Sequence, residues 1–197
     1  MIDARQIGKL IAEEIVNEPG PCFYPGKFKP PHKGHFEAAS YLASRNFITE
    51  VDIIISNKVI DGITPEDSLL IWNSYISAEP NAKFKVQIST QNSPIVDIIN
   101  FLKANPEISP VYVAGGDDES DDQEYLISLQ DQFGDRLKPI AVHEKEGKVS
   151  APYIRDVLRK KDFEAFKKVV PEAAVNRGVA LKIFKMLSSK IANEPTV

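Results

Sequence analysis

From residue 22 to residue 143 the chain alternates short, β-branched apolar runs with longer stretches of helical apolar spacing. This alternation constrains the fold more than any other feature. Successive strands joined by helices lie parallel, and a parallel sheet needs helices on both faces. Strands are expected at 22–24, 51–56 (VDIIIS), 84–88 (FKVQI), 110–116 (PVYVAGG) and 138–143 (KPIAVH). Helices are expected between them at 32–46, 64–77, 93–105 and 121–133. In the first of these, Phe36, Ala39, Tyr41, Leu42 and Ala43 are expected to face inward. In the second, Thr64, Pro65 and Asp67 make a strong N-terminal signal, and Trp72 reads as a core residue.

The expected architecture is a doubly wound, five-stranded parallel α/β domain over residues 21–160. An N-terminal helix (3–17, within a segment 1–20) precedes it. A C-terminal helical extension (161–197) follows, with helices at 151–160, 162–169 and about 176–192. The end helices suit either self-association into a homo-oligomer or coverage of a sheet face. Right-handed crossovers place the loops after the strands on one edge. Ligands bind there, where strand order reverses.

Composition narrows the function. A length of 197 residues fits one domain, and 43% hydrophobic content supplies a core. A net charge of -4 argues against a nucleic-acid binder, which needs a broad basic surface. No apolar run approaches the ~18 residues of a membrane span. The acidic residues Asp3, Glu13 and Glu14 are foreign to a signal peptide. The single cysteine, Cys22, excludes an internal disulfide and fits a reducing compartment, so a cytoplasmic protein is expected.

The segment CFYPGKFKPPHKGHFEAA, residues 22–39, follows the first strand and gathers His32 and His35 with Lys27, Lys29 and Lys33. Two histidines three apart at a helix start share a face. The helix end adds unpaired N–H groups and a partial positive charge, a ready anion site. Gly34 lets a ligand approach the backbone, and Pro30 and Pro31 stiffen the loop. The pair fits hydrogen-bond donors to a phosphate. Half a zinc site is the competing reading, with His143 as the only other histidine.

GKFKPPHKGH resembles the HxGH signature of the nucleotidylyltransferase superfamily, and in particular its archaeal-type nicotinamide-mononucleotide adenylyltransferases. That branch usually carries arginine where this chain has Lys27. VSAPYIR, residues 149–155, resembles the superfamily's second signature, with Ser150, Ile154 and Arg155 matching and Pro152 replacing the usual threonine. The resemblance implies a Rossmann-like nucleotidyltransferase fold and transfer of a nucleotide from ATP or CTP to a small phosphorylated acceptor, releasing pyrophosphate. It implies catalytic roles for His32, His35, Lys27 and Arg155. Gly26, Phe28, Gly34 and Ser150 would bind nucleotide, as would Gly115 and Asp117 in a G-x-D element after the fourth strand. Mg²⁺ would arrive with the nucleotide rather than occupy a metal site of the protein. A cytidylyltransferase and a nucleotide-binding module without catalysis stay open as alternatives. Asn57 and Lys58, after the second strand, are further acceptor-contact candidates. The basic stretch 159–168 reads first as a solvated helix face, with an extension of the phosphate-attracting field beyond Arg155 as the alternative.

Overall fold

A computed structural model describes residues 17–116, 121–142 and 149–191. Five parallel strands form one sheet: β1 (Gly20–Gly26), β2 (Ile48–Ile55), β3 (Phe84–Ile88), β4 (Val111–Gly116) and β5 (Leu137–Val142). Their spatial order is β3-β2-β1-β4-β5. Strand order therefore reverses between β1 and β4, whose register pairs Cys22 with Tyr112 and Phe23 with Val113. The crossover helices are α1 (Lys33–Ser44), α2 (Pro65–Ala78), α3 (Pro94–Ala104) and α4 (Asp121–Phe133). Beyond β5 come α5 (Ala151–Arg159), α6 (Phe163–Val169), α7 (Glu172–Asn176) and α8 (Val179–Ile191).

The period-two alternation of side chains divides the strands between two cores. Cys22, Tyr24, Ile53 and Ile55 point to one face, where they meet Phe36 of α1, Trp72 and Tyr75 of α2, and Ile154 of α5. Phe166 of α6 and Leu187 of α8 belong to that same cluster, so the C-terminal helices share the sheet's own core. Phe23, Ile54, Val111 and Val113 point the other way, onto Ile98 and Leu102 of α3 and Leu126 and Leu129 of α4.

Local signals explain the helix starts. Thr64 accepts from the Asp67 N–H, and Asp67 accepts from the Thr64 N–H at 2.9 Å, a reciprocal capping box ahead of Pro65. Ser93 and Ser150 cap α3 and α5 from their side chains.

Three expectations change. Strand β1 is longer than its apolar residues suggest and runs through to Gly26. Tyr41 is exposed, because the inward stripe of α1 is Phe36, Ala38, Ala39, Leu42 and Ala43. The last helix, expected from about 176, starts at Val179, because Gly178 (φ +69) closes the short α7 in a left-handed conformation that glycine adopts freely. The helix expected over 3–17 lies almost wholly outside the described residues, as do Asp117 and His143. Among the described residues, no helix is long and apolar enough to cross a membrane.

Candidate active site

β1 ends at Gly26 beside the point of strand-order reversal, and the loop leading to α1 carries the candidate site. A Cβ on Gly26 would lie 2.5 Å from the Phe28 ring, so glycine is needed for the loop to fold back over the strand end. Phe28 holds a left-handed backbone (φ +50) that costs a non-glycine residue about 1–3 kcal/mol. Its buried ring offsets this, packing edge-on against Tyr24, His35 and Trp72.

The loop's carbonyl groups are tied to the scaffold. Lys29 Nζ donates to the oxygens of Lys27 and Ser56, each at 3.1 Å. Ser68 Oγ donates to the Phe28 oxygen (2.7 Å), and the Tyr75 hydroxyl donates to the Pro31 oxygen (3.2 Å). Arg155 Nη1 donates to the Lys29 oxygen (2.9 Å). In a trans peptide the N–H points opposite to the C=O. The N–H groups of Phe28 and Lys29 therefore face away from these donors, a polarity suited to an anion.

His32 is the N-cap of α1 and His35 its third residue. They form a capping box built from imidazoles. The His35 N–H donates to His32 Nδ1 (3.4 Å), and the His32 N–H donates to His35 Nδ1 (3.3 Å). The rings stack with centroids 3.5 Å apart and planes 22° apart. A backbone N–H can only donate, so both Nδ1 atoms are unprotonated. Each neutral ring then carries its proton on Nε2, and among the described residues neither Nε2–H has a hydrogen-bond partner. Burial lowers the His32 pKa to about 4. Burial, and then the neighbouring His32, hold His35 well below its ordinary value. Gly34 lies between them in the first turn of α1 and is partly exposed.

Arg155 reaches this loop from the second turn of α5. Beyond its bond to Lys29, Arg155 Nε lies 2.5 Å from Asp61 Oδ2. Ser150 accepts from the Tyr153 N–H at 3.3 Å and keeps its own hydroxyl proton to donate. Pro152 sits in the first turn of α5, where its missing N–H breaks no helical bond. Lys27 is exposed on the loop.

Two solved structures share this architecture. Plasmodium falciparum nicotinic acid mononucleotide adenylyltransferase complexed with NaAD matches with a TM-score of 0.57 at 14% identity, over 83% of this chain and 98% of that one. The Plasmodium falciparum enzyme complexed with APC matches with a TM-score of 0.54 at 12% identity, over the same shares. The chain has the nucleotidylyltransferase fold. No protein-family model and no curated protein matches it in sequence.

Within this nucleotidylyltransferase fold the expected residues fall into groups. Lys27, His32, Gly34, His35 and Arg155 gather around one loop, and Ser150 caps the helix that delivers Arg155. Phe28 is buried in the core with its ring edge-on to His35. Gly115 lies near the end of β4, where a Cβ would come 2.5 Å from Leu126, so its small size serves helix packing. Asn57 sits at the carboxyl end of β2 and donates from Nδ2 to the Gln91 oxygen (2.7 Å). Trp72 is fully buried. Of the other lysines gathered in the segment, Lys33 faces water beside Glu37 (3.7 Å), while Lys29 is buried.

Sequence reasoning missed two contributors, Asp61 and Ser68, and the structural role of a third, Lys29. Lys29 is a buried strut between the ends of β1 and β2, with burial lowering its pKa to about 8. Asp61 pairs with both Arg155 and Arg159. Ser68 holds the strained Phe28 peptide. The Asp61-Gly62 pair, a hairpin-turn dipeptide just after β2, was the available signal for Asp61.

Proposed function

We propose that the protein is a nucleotidylyltransferase that moves a nucleoside monophosphate from ATP to a phosphate-bearing acceptor and releases pyrophosphate. Nicotinamide mononucleotide is the favoured acceptor. The observation that carries this reading is the bond from Arg155 to the Lys29 oxygen. It joins residues 126 positions apart and ties the helix of the second signature to the loop that leads into the histidines of the first. The nicotinic acid mononucleotide adenylyltransferase named among the fold neighbours supports the substrate class.

In the proposed reaction an acceptor phosphate oxygen attacks the α-phosphorus. The bond from that phosphorus to the α–β bridging oxygen breaks in line, and its electrons leave with pyrophosphate. Such transfers depend on alignment and charge stabilisation. The Nε2–H groups of His32 and His35 donate to the phosphate oxygens where charge grows. Lys27, Arg155 and the Ser150 hydroxyl hold the triphosphate. Among the described residues, no group of three or more His, Cys, Asp or Glu side chains comes together. Mg²⁺ would travel on the phosphates and water, where it would neutralise charge.

One observation favours a second reading, a nucleotide-binding module without catalysis. The Arg155 guanidinium is already engaged by Asp61 and Lys29, and Pro152 offers no hydroxyl. The test is a matrix of nucleoside triphosphates against phosphorylated acceptors with Mg²⁺, read as pyrophosphate. Release with ATP and nicotinamide mononucleotide is the expected result. Release with CTP and a phosphorylated alcohol or sugar would make the protein a cytidylyltransferase. Nucleotide binding without release would leave the module. In the active case, His35→Ala should lower turnover by about 10²–10³, the usual cost of one lost transition-state donor.

A further inference from the structure

The connection from β2 to α2 contains a tight turn. Ile60 and Ile63 exchange backbone hydrogen bonds (3.2 and 3.0 Å) across Asp61 (φ +48) and Gly62 (φ +70). Ile63 is fully buried and anchors the turn. The turn presents the Asp61 carboxylate to α5, where a single oxygen, Oδ2, meets two guanidinium groups. Arg155 Nε lies 2.5 Å away and Arg159 Nη2 2.9 Å away. Arg155 and Arg159 are four apart and therefore on one face of α5. The Arg155 side chain is 15% exposed and that of Arg159 is 51% exposed.

We infer that Arg159 is a second polyphosphate-binding residue and that Asp61 is the positioning residue that brings it beside Arg155. The inference deepens the function proposed above and rests on it.

Two like charges on adjacent helical turns repel, and a shared carboxylate lets them stay together. Asp61 cancels one positive charge. Arg155 alone beside it would be a neutral pair, poorly suited to a triphosphate. With Arg159 the trio is a net cation. Asp61 occupies one edge of the Arg159 guanidinium, and a guanidinium has five N–H donors. The half-exposed remainder of Arg159 can meet phosphate in the paired geometry that arginine favours. The arrangement is fixed by folding rather than by ligand, because the Asp61 turn is anchored at Ile63 and Arg155 is tied to Lys29. A site ordered before binding loses less affinity to the ordering of side chains.

The test is calorimetric titration of inorganic tripolyphosphate, without nucleotide or acceptor, into the parent protein and four variants at low ionic strength. Thermal midpoints are recorded alongside. Arg155→Ala should lose most of the binding. Arg159→Ala should weaken it about five- to tenfold, a charge-assisted contact discounted for exposure. Arg159→Lys should recover part of that loss, which a purely structural role would not explain. Asp61→Asn keeps a residue tolerant of the left-handed turn and should weaken binding about as much as Arg159→Ala. Parental affinity in Arg159→Ala would overturn the inference alone, leaving the proposed function standing. Tighter binding in Asp61→Asn would also overturn it, since Asp61 would then compete with phosphate. A parent protein that does not bind tripolyphosphate would overturn both.

Discussion

His32 and His35 each turn a ring nitrogen toward the other's backbone N–H, which fixes their tautomers before any ligand arrives. Nitrogen-detected NMR should therefore show both rings neutral, with the proton on Nε2, from pH 8 down to about pH 5.5. A titration midpoint near 6.5 for either ring would refute the burial argument. The same depression links to stability. The His32 pKa falls from an ordinary 6.5 to about 4 on folding. The unfolded chain thus binds the proton more readily, and stability is lost as pH falls from about 6.5 towards 4. The full loss for this group is on the order of 3 kcal/mol. Asp52 works in the opposite sense. Burial raises its pKa to about 6, so protonation below that pH favours the fold. Asp52→Asn stands in for the protonated acid, so it should be more stable than the parent above about pH 6, and the difference, followed by urea unfolding, should vanish as pH falls towards 4. At this scale the histidine pair was legible, because two imidazoles at a helix start have few uses. Lys29 was not. A lysine among lysines reads as solvent-facing, and its burial depends on carbonyl oxygens that only the folded loop brings together.

Helix α1 and the loop before it act as one unit, in which Gly26 admits Phe28 and Phe28 backs His35. Gly26→Ala would force the Phe28 ring aside. The expected cost is about 1–3 kcal/mol, the range for overpacking a dense site, measured by denaturant unfolding. Turnover should fall by more than the stability loss predicts, because His35 loses its backing ring. Element order and type were readable from periodicity, since each strand is a compact apolar run and α2, α3 and α5 start at Ser or Thr caps. Boundaries were less readable where a glycine sets them. Nothing local distinguishes Gly178, which ends α7, from Gly34, which helix α1 tolerates in its first turn. The outward turn of Tyr41 escaped for a related reason: small alanines at 38, 39 and 43 let the helix press its other face to the sheet.

The whole molecule is closed by its last helix. Lys190 on α8 donates to both carboxylate oxygens of Asp67 at 2.7 Å, in the capping box of α2. Ile183, Leu187 and Ile191 enter the core that also holds Trp72. Leu187→Ala should cost about 2–5 kcal/mol, the range for emptying a buried leucine site, read from thermal or urea unfolding. A chain ending at Gly178 should lose cooperative unfolding altogether, since it would bare one face of that core. The parallel sheet was legible at this scale from alternation alone, and the strand-order reversal is where the loop motif had suggested a ligand edge. How the terminal helices pack was not, because their apolar stripes say that they are covered but not by what.

The contact between Arg155 and Lys29 spans 126 positions, and this distance along the chain governs when the proposed site can first be assembled. A ribosome has released the histidine loop long before it makes the arginine helix, and α8 is still to come. Fragments from aborted translation or from cleavage between β4 and α5 would carry half a seat each. On the proposed function, affinity for nucleotide should thus emerge only in a single late step of synthesis, once both halves of the contact exist.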